Sequence, residues 1–179
     1  KGPVFGNPIE STDHAFSVLA EDIPGKLAHV MEAITLTRHE LGGRVPLIGF
    51  SGAPWTLMAY MIEGGGSKNY KRARAWLYEA PDAAHSLLQQ TTDVIVDYLI
   101  GQVRAGAQML QVFDSWAGLF GPQTFRTFAL PYLKQIAERV KKECPDVPMV
   151  VFAKGAHYAL EDLVETEYEI IGLDWTMDP

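Results

Sequence analysis

PLIGFSGAPWTLMAYMIEGGG, Pro46 to Gly66, decides the fold. In it Leu47, Ile48 and Phe50 read as a buried strand, Ser51 to Pro54 as a turn of small residues, and Trp55 to Ile62 as the helical segment that follows. Three later runs repeat the arrangement: MLQVFDSWAG from Met109, PMVVFAKGAH from Pro148 and IIGLDWT from Ile170. Each is a short apolar run that ends at polar side chains, giving Ser51, then Asp114 with Ser115, then Lys154, then Asp174. Because α/β proteins place their chemistry where such strands end, these polar groups are expected to point the same way.

Helical patterns lie between the runs. One starts at Pro24, carries Leu27, Val30, Met31, Ile34 and Leu41 on one stripe, and stops at Gly42-Gly43. The longest opens at Pro81, sets Ala84, Leu87, Leu88, Thr91, Val94, Ile95, Tyr98, Leu99 and Val103 at helical spacing, and ends at Gly106. In FRTFALPYLKQIAERVKKEC, Pro131 ends one helix and opens another. A shorter helix covers Ala159 to Glu165. Before Pro24, Lys1 to Glu10 reads as an irregular lead-in, with Ser11, Thr12 and Asp13 capping a short helix over Phe16, Val18 and Leu19. SKNYKRARAWLY, after the glycines, reads as a polar lead to Pro81.

Strands alternating with helices long enough to cross a sheet predict parallel pairing. No linker, low-complexity tract or repeated string divides the chain, so residues 1–179 are expected to be a single domain. The chain stops directly after a strand, and about four strands are few for this class. The expected fold is therefore a (β/α)₈ TIM barrel present as a partial barrel, lacking units at both ends; an open doubly wound sheet is the alternative.

Composition removes several functions. Hydrophobic residues make up 47% of the chain, aromatic residues 11%, and the formal charge is −7. That content suits a packed core rather than disorder. No basic run exceeds Lys71-Arg72 or Lys141-Lys142, which argues against a nucleic-acid partner. Apolar stretches break well before the roughly 18 residues of a membrane span. Cys144 is alone, so neither a disulfide nor a thiolate metal cluster forms within the chain, and a reducing compartment is expected. The five His are scattered without metal-ligand spacing. There is no phosphate loop, no dinucleotide fingerprint and no G-x-S-x-G.

GAPWTLMAYMIEGGG, VFDSWAG, FALPYLKQIA and GLDWT together resemble the uroporphyrinogen decarboxylase family, and the resemblance runs from end to end. It implies a (β/α)₈ barrel, homodimeric, that removes CO₂ from the four acetate side chains of uroporphyrinogen to give coproporphyrinogen without a cofactor or metal. It implies a cytoplasmic enzyme, or a plastid one in a photosynthetic eukaryote. Carried over by residue, Tyr60 in AYMIEGGG and Ser115 in FDSWAG are the implied substrate contacts. Phe50 and Phe113, at the ends of their strands, resemble positions that line the family's cleft. The family's RQAGRY-like segment, early-strand Asp and late His are not in this chain. Its catalytic acid and arginine clamps are therefore expected outside it, and the 179 residues alone are expected to be inactive.

Each residue also has a plainer reading. Tyr60 is equally a half-buried tyrosine whose hydroxyl meets a backbone group. Ser115 caps the turn that follows, Phe50 and Phe113 fill core, and Lys154 forms a salt bridge with Asp174. Two other functions stay open: a corrinoid or thiol methyltransferase on the same barrel, against which the lone cysteine argues, and a non-catalytic tetrapyrrole-binding relative.

Overall fold

A computed structural model describes residues 4–16 and 23–177. Its frame is four parallel strands, β1 (Ile48–Gly52), β2 (Met109–Asp114), β3 (Met149–Ala153) and β4 (Ile170–Ile171), hydrogen-bonded in the order 1-2-3-4. In a doubly wound sheet the order reverses, so that helices fall on both faces. Here it does not reverse, and right-handed crossovers taken always in one direction put the covering helices on one face. That is the winding of a (β/α) barrel, and the open doubly wound alternative falls.

Helices α1 (Ile23–Lys26) and α2 (Ala28–Leu41) lead into β1. Helices α3 (Pro54–Glu63), α4 (Lys71–Glu79) and α5 (Pro81–Ala105) join β1 to β2; α6 (Pro122–Phe128) and α7 (Leu130–Glu143) join β2 to β3; α8 (Leu160–Val164) joins β3 to β4. The punctuation follows the sequence. Proline occupies the first turn of α3, α5, α6 and α7, where a missing N–H costs nothing. Gly42 ends α2 in the left-handed region, at φ 54°.

Two segments depart from the pattern. The helix expected from Pro24 breaks at Leu27, and its stripe is only half-buried, since α2 packs mainly against α5. SKNYKRARAWLY is not merely a polar lead. It contains α4, held by the narrow stripe Ala73, Trp76 and Leu77, which charged neighbours obscure in the sequence. At the lead-in, Ser11 Oγ accepts the Asp13 N–H at 3.2 Å as the cap reading requires, while Val18 and Leu19 lie outside the described residues.

Alternation along the strands separates two faces. Leu110, Val112, Met149 and Val151, all fully buried, meet the helices, where Leu87, Leu88 and Leu99 of α5 and Leu133, Ile136 and Val140 of α7 complete the core. The opposite face carries Ile48, Phe50, Gln111, Phe113 and Phe152, and Phe50 is 60% exposed on it. At the outer edge of β1 the buried Gln102 of α5 takes a strand's part, its amide accepting the Phe50 N–H and donating to the Phe50 carbonyl, both at 2.9 Å.

The loops after β2 and β3 are clamped backbone to backbone. Gly118 N–H donates to the Lys154 carbonyl at 2.9 Å, and a Cβ on Gly118 would lie 3.0 Å from that oxygen and 3.1 Å from Gly155 Cα. Since backbone cannot swing aside as a side chain does, Gly118→Ala in the full-length protein is expected to lose about 1–3 kcal/mol of stability, read from urea unfolding midpoints. An unchanged midpoint would show that the two loops separate freely.

Candidate active site

The strand ends do not all point into one cleft. Phe50 and Phe113 face the open side, so their neighbours Ser51 and Asp114 turn toward the helices. Ser51 is buried there and donates to its neighbour's carbonyl, Gly52 O, at 3.1 Å. Lys154 and Asp174 do not pair. The Lys154 ammonium lies over the Trp175 indole, 4.9 Å from the ring centroid. Asp174 binds the next turn instead, accepting Thr176 Oγ1 at 2.5 Å, the Thr176 N–H at 2.9 Å and the Gly155 N–H at 2.6 Å. The Thr176 and Gly155 donors hold its carboxyl down at about 2.

On the open face three rings form a row. Phe50 meets Phe113 edge to face at 5.8 Å, and Phe113 meets Phe152 in the same way at 5.9 Å. The row is the register made visible, because Phe113 and Phe152 are paired across β2 and β3. Gly172, after β4, leaves room for Phe152, whose Cδ2 would lie 2.8 Å from any added Cβ. On this face Phe50 is exposed and Phe113 is half-buried.

Tyr60 lies in the second turn of α3 beside a second aromatic group. Its ring meets Tyr70 at 5.9 Å and Trp116 at 6.4 Å, and Tyr70 and Trp116 meet at 4.6 Å. Ser115 immediately precedes Trp116 and so lies one residue along the chain from a ring that Tyr60 meets. Tyr60 is half-buried, and the short 3₁₀ turn Ala117–Leu119 takes no side-chain cap from Ser115.

Tyr70, Trp116 and Phe152 are cluster members that the sequence reading did not single out. Phe152 was accessible from aligning MVVFA with LQVFD, which sets it beside Phe113. Tyr70 was not: it is a fully buried tyrosine at φ 47°, a left-handed conformation that nothing in SKNYKR announces. Burial pushes its hydroxyl up to about 12.

Behind the rim, α3 is tied to the end of β2. The Ala53 N–H donates to the Phe113 carbonyl at 2.8 Å, Trp55 Nε1 donates to the Trp116 carbonyl at 3.1 Å, and Thr56 Oγ1 donates to Asp114 Oδ1 at 2.7 Å. Asp114 is fully buried, and its other oxygen has no partner. Burial, opposed only by the Thr56 hydroxyl, pushes its carboxyl up from 3.8 to about 7. Among the described residues no group of three or more His, Cys, Asp or Glu side chains gathers to hold a metal ion, and no helix is long and apolar enough to cross a membrane.

The raised carboxyl carries a consequence for stability. Between pH 4 and 7 the folded chain keeps a proton on Asp114 that the unfolded chain releases, so this group lowers stability as pH rises through that window. The Tyr158 and Tyr168 hydroxyls that face it stay neutral throughout, burial having pushed both upward. Asp114→Asn removes the titration. Relative to the parent, that variant is expected to gain up to about 1.4 kcal/mol per pH unit across the window, measured by urea unfolding at several pH values. Parallel curves would show that Asp114 ionises as freely folded as unfolded.

The sequence profile of the family described as Uroporphyrinogen decarboxylase (URO-D) matches residues 1–179. A protein of Salinibacter ruber named uroporphyrinogen decarboxylase is 66% identical over 179 residues, with all of this chain and 51% of that protein aligned. The human protein of the same name is 52% identical over 185 residues, covering all of this chain and 50% of its own length. The chain thus spans about half the length of the curated relatives it matches. A solved structure of a methyltransferase from Methanosarcina mazei superposes with a TM-score of 0.76 over 94% of this chain and 48% of its own, at 22% identity, a likeness of fold.

Proposed function

The chain belongs to the uroporphyrinogen decarboxylase family, and we propose that the full-length protein is a carboxy-lyase. It removes CO₂ from the four acetate side chains of uroporphyrinogen, giving coproporphyrinogen in tetrapyrrole (haem) biosynthesis. The observation that carries this to the chain's own residues is the row Phe50, Phe113 and Phe152, an aromatic wall on the uncovered face of the sheet next to the Tyr60 and Ser115 rim. Such a wall suits a flat macrocycle.

Losing CO₂ from an acetate on a pyrrole needs a place for the electron pair. Protonating the adjacent ring carbon makes the pyrrole a cationic sink, so the substrate serves as its own cofactor and none is needed from the protein. The chain's part is positional and electrostatic. The phenyl rings hold the macrocycle and exclude water. The Tyr60 and Ser115 hydroxyls donate hydrogen bonds to substrate carboxylates. No acid or arginine clamp is assigned to a residue of this chain. The proposal extends to one folding unit over residues 1–179, supported by a continuous apolar core, and to a cytoplasmic homodimer.

Anaerobic incubation of the full-length protein with uroporphyrinogen, products being separated by carboxylate number, is expected to show stepwise loss of four carboxylates. A folded protein that binds porphyrin without decarboxylating it would mark a non-catalytic relative. Tyr60→Phe and Ser115→Ala are each expected to lower kcat/KM by about tenfold, the worth of one hydrogen bond to a charged group, with the fold intact. Parent kinetics in either variant would remove that residue from the site.

A further inference from the structure

Asp114 is the one carboxylate at this rim that solvent does not reach, and the decarboxylation proposed above leaves it without a task. Its place between the candidate contacts gives it one. Along the chain it immediately precedes Ser115. Across space its Oδ1 accepts the Thr56 hydroxyl at 2.7 Å, and Thr56 lies four residues before Tyr60 on α3, one turn away on the same face. Tyr60 in turn lies against Trp116, the residue after Ser115. The path Ser115, Asp114, Thr56, Tyr60 therefore contains one non-covalent link, and it is buried.

We propose that Asp114 is a positioning residue which, through Thr56, sets the separation of the Tyr60 and Ser115 hydroxyls at the substrate rim. The inference rests on the decarboxylase reading, within which those hydroxyls are the contacts. Two features suit the carboxyl to this work. It does not touch the open face, so it is not a substrate contact. Its second oxygen and the buried Tyr168 hydroxyl are both without partners, and Tyr158 donates to the Ala117 carbonyl nearby at 3.2 Å. Thr56 is thus the partner that gives Asp114 its orientation. The Trp55 indole bond to the Trp116 carbonyl holds the same two segments one residue away, so a change at Thr56 tests its own link to Asp114 with that second tie in place.

The test uses full-length protein labelled with 3-fluorotyrosine, the Tyr60 resonance being assigned by its absence in Tyr60→Phe. Thr56→Val keeps the shape of the side chain and removes the donor. It is expected to shift the ¹⁹F resonance of Tyr60 and to lower kcat/KM for uroporphyrinogen about tenfold. Thr56→Ser and Asp114→Asn, which keep a donor and an acceptor, are expected to retain the parent resonance and at least half the parent kcat/KM. An unmoved Tyr60 resonance in Thr56→Val overturns the link, in an active protein or an inactive one. A moved resonance with parent kinetics overturns its role at the rim. Absence of turnover in the parent counts against the decarboxylase reading, while the resonance still decides whether Asp114 positions Tyr60.

Discussion

Parallel strands in unbroken order, crossed over always with the same hand, clothe only one of their faces. Everything particular about this chain follows from that constraint acting on residues of period two. Leu110, Val112, Met149 and Val151 take the clothed face and make the core. The alternate positions must then tolerate water or meet something else, and here they are Ile48, Phe50, Gln111, Phe113 and Phe152. In a (β/α) barrel this is the face the strands turn inward. Edge-to-face contact among the phenylalanines orders their rings on it.

The same alternation accounts for what the sequence concealed at the strand ends. A polar residue following an apolar run looks like a group presented to a cleft. Its direction, however, is set by the parity of its position, and Ser51 and Asp114 have the parity of the core. Ser51 spends its hydroxyl on its own strand, and Asp114 is driven to a hydrogen bond with α3 because no solvent is in reach. Lys154 and Asp174 show a second limit. Neighbouring opposite charges suggested an ion pair, yet Asp174 is taken by the backbone and hydroxyl of Thr176 after β4 and by the Gly155 N–H after β3.

Elements bounded by proline and glycine were legible nearly to the residue: β2, α5, the break at Ala129 and the stop at Gly42. These signals act through backbone geometry alone and need no knowledge of neighbours. Helix α4 and the cluster around Tyr70 were not legible. Three buried residues among four charged ones, with Ala75 and Tyr78 off the stripe, carry little periodicity, and a left-handed tyrosine is chosen by the packing of Tyr60 and Trp116 around it. Tyr60 and Ser115 came from resemblance, not from pattern. A tyrosine on an apolar helix and a serine after a strand each have an ordinary structural use, and only their convergence on Trp116 distinguishes them.

The rim also concentrates polar groups that the fold leaves without partners. Trp116 Nε1 and the second oxygen of Asp114 are buried there without a hydrogen bond. Elsewhere Gln90 Oε1 on α5 is likewise unpaired, while Gln102 pairs with Phe50, and Thr91 and Thr92 with the preceding turn of α5. Buried groups left unpaired cost stability, so their accumulation in one place is a departure from what folding alone would favour. Such departures collect where function constrains the choice of residue. At this rim they lie beside an aromatic wall and behind two hydroxyls, in a chain whose net negative charge offers no general attraction to a polyanion. Recognition there must come from a few donors held at fixed spacing, and a buried carboxyl joined to the helix that carries one of them, one residue from the other, is a means of fixing it.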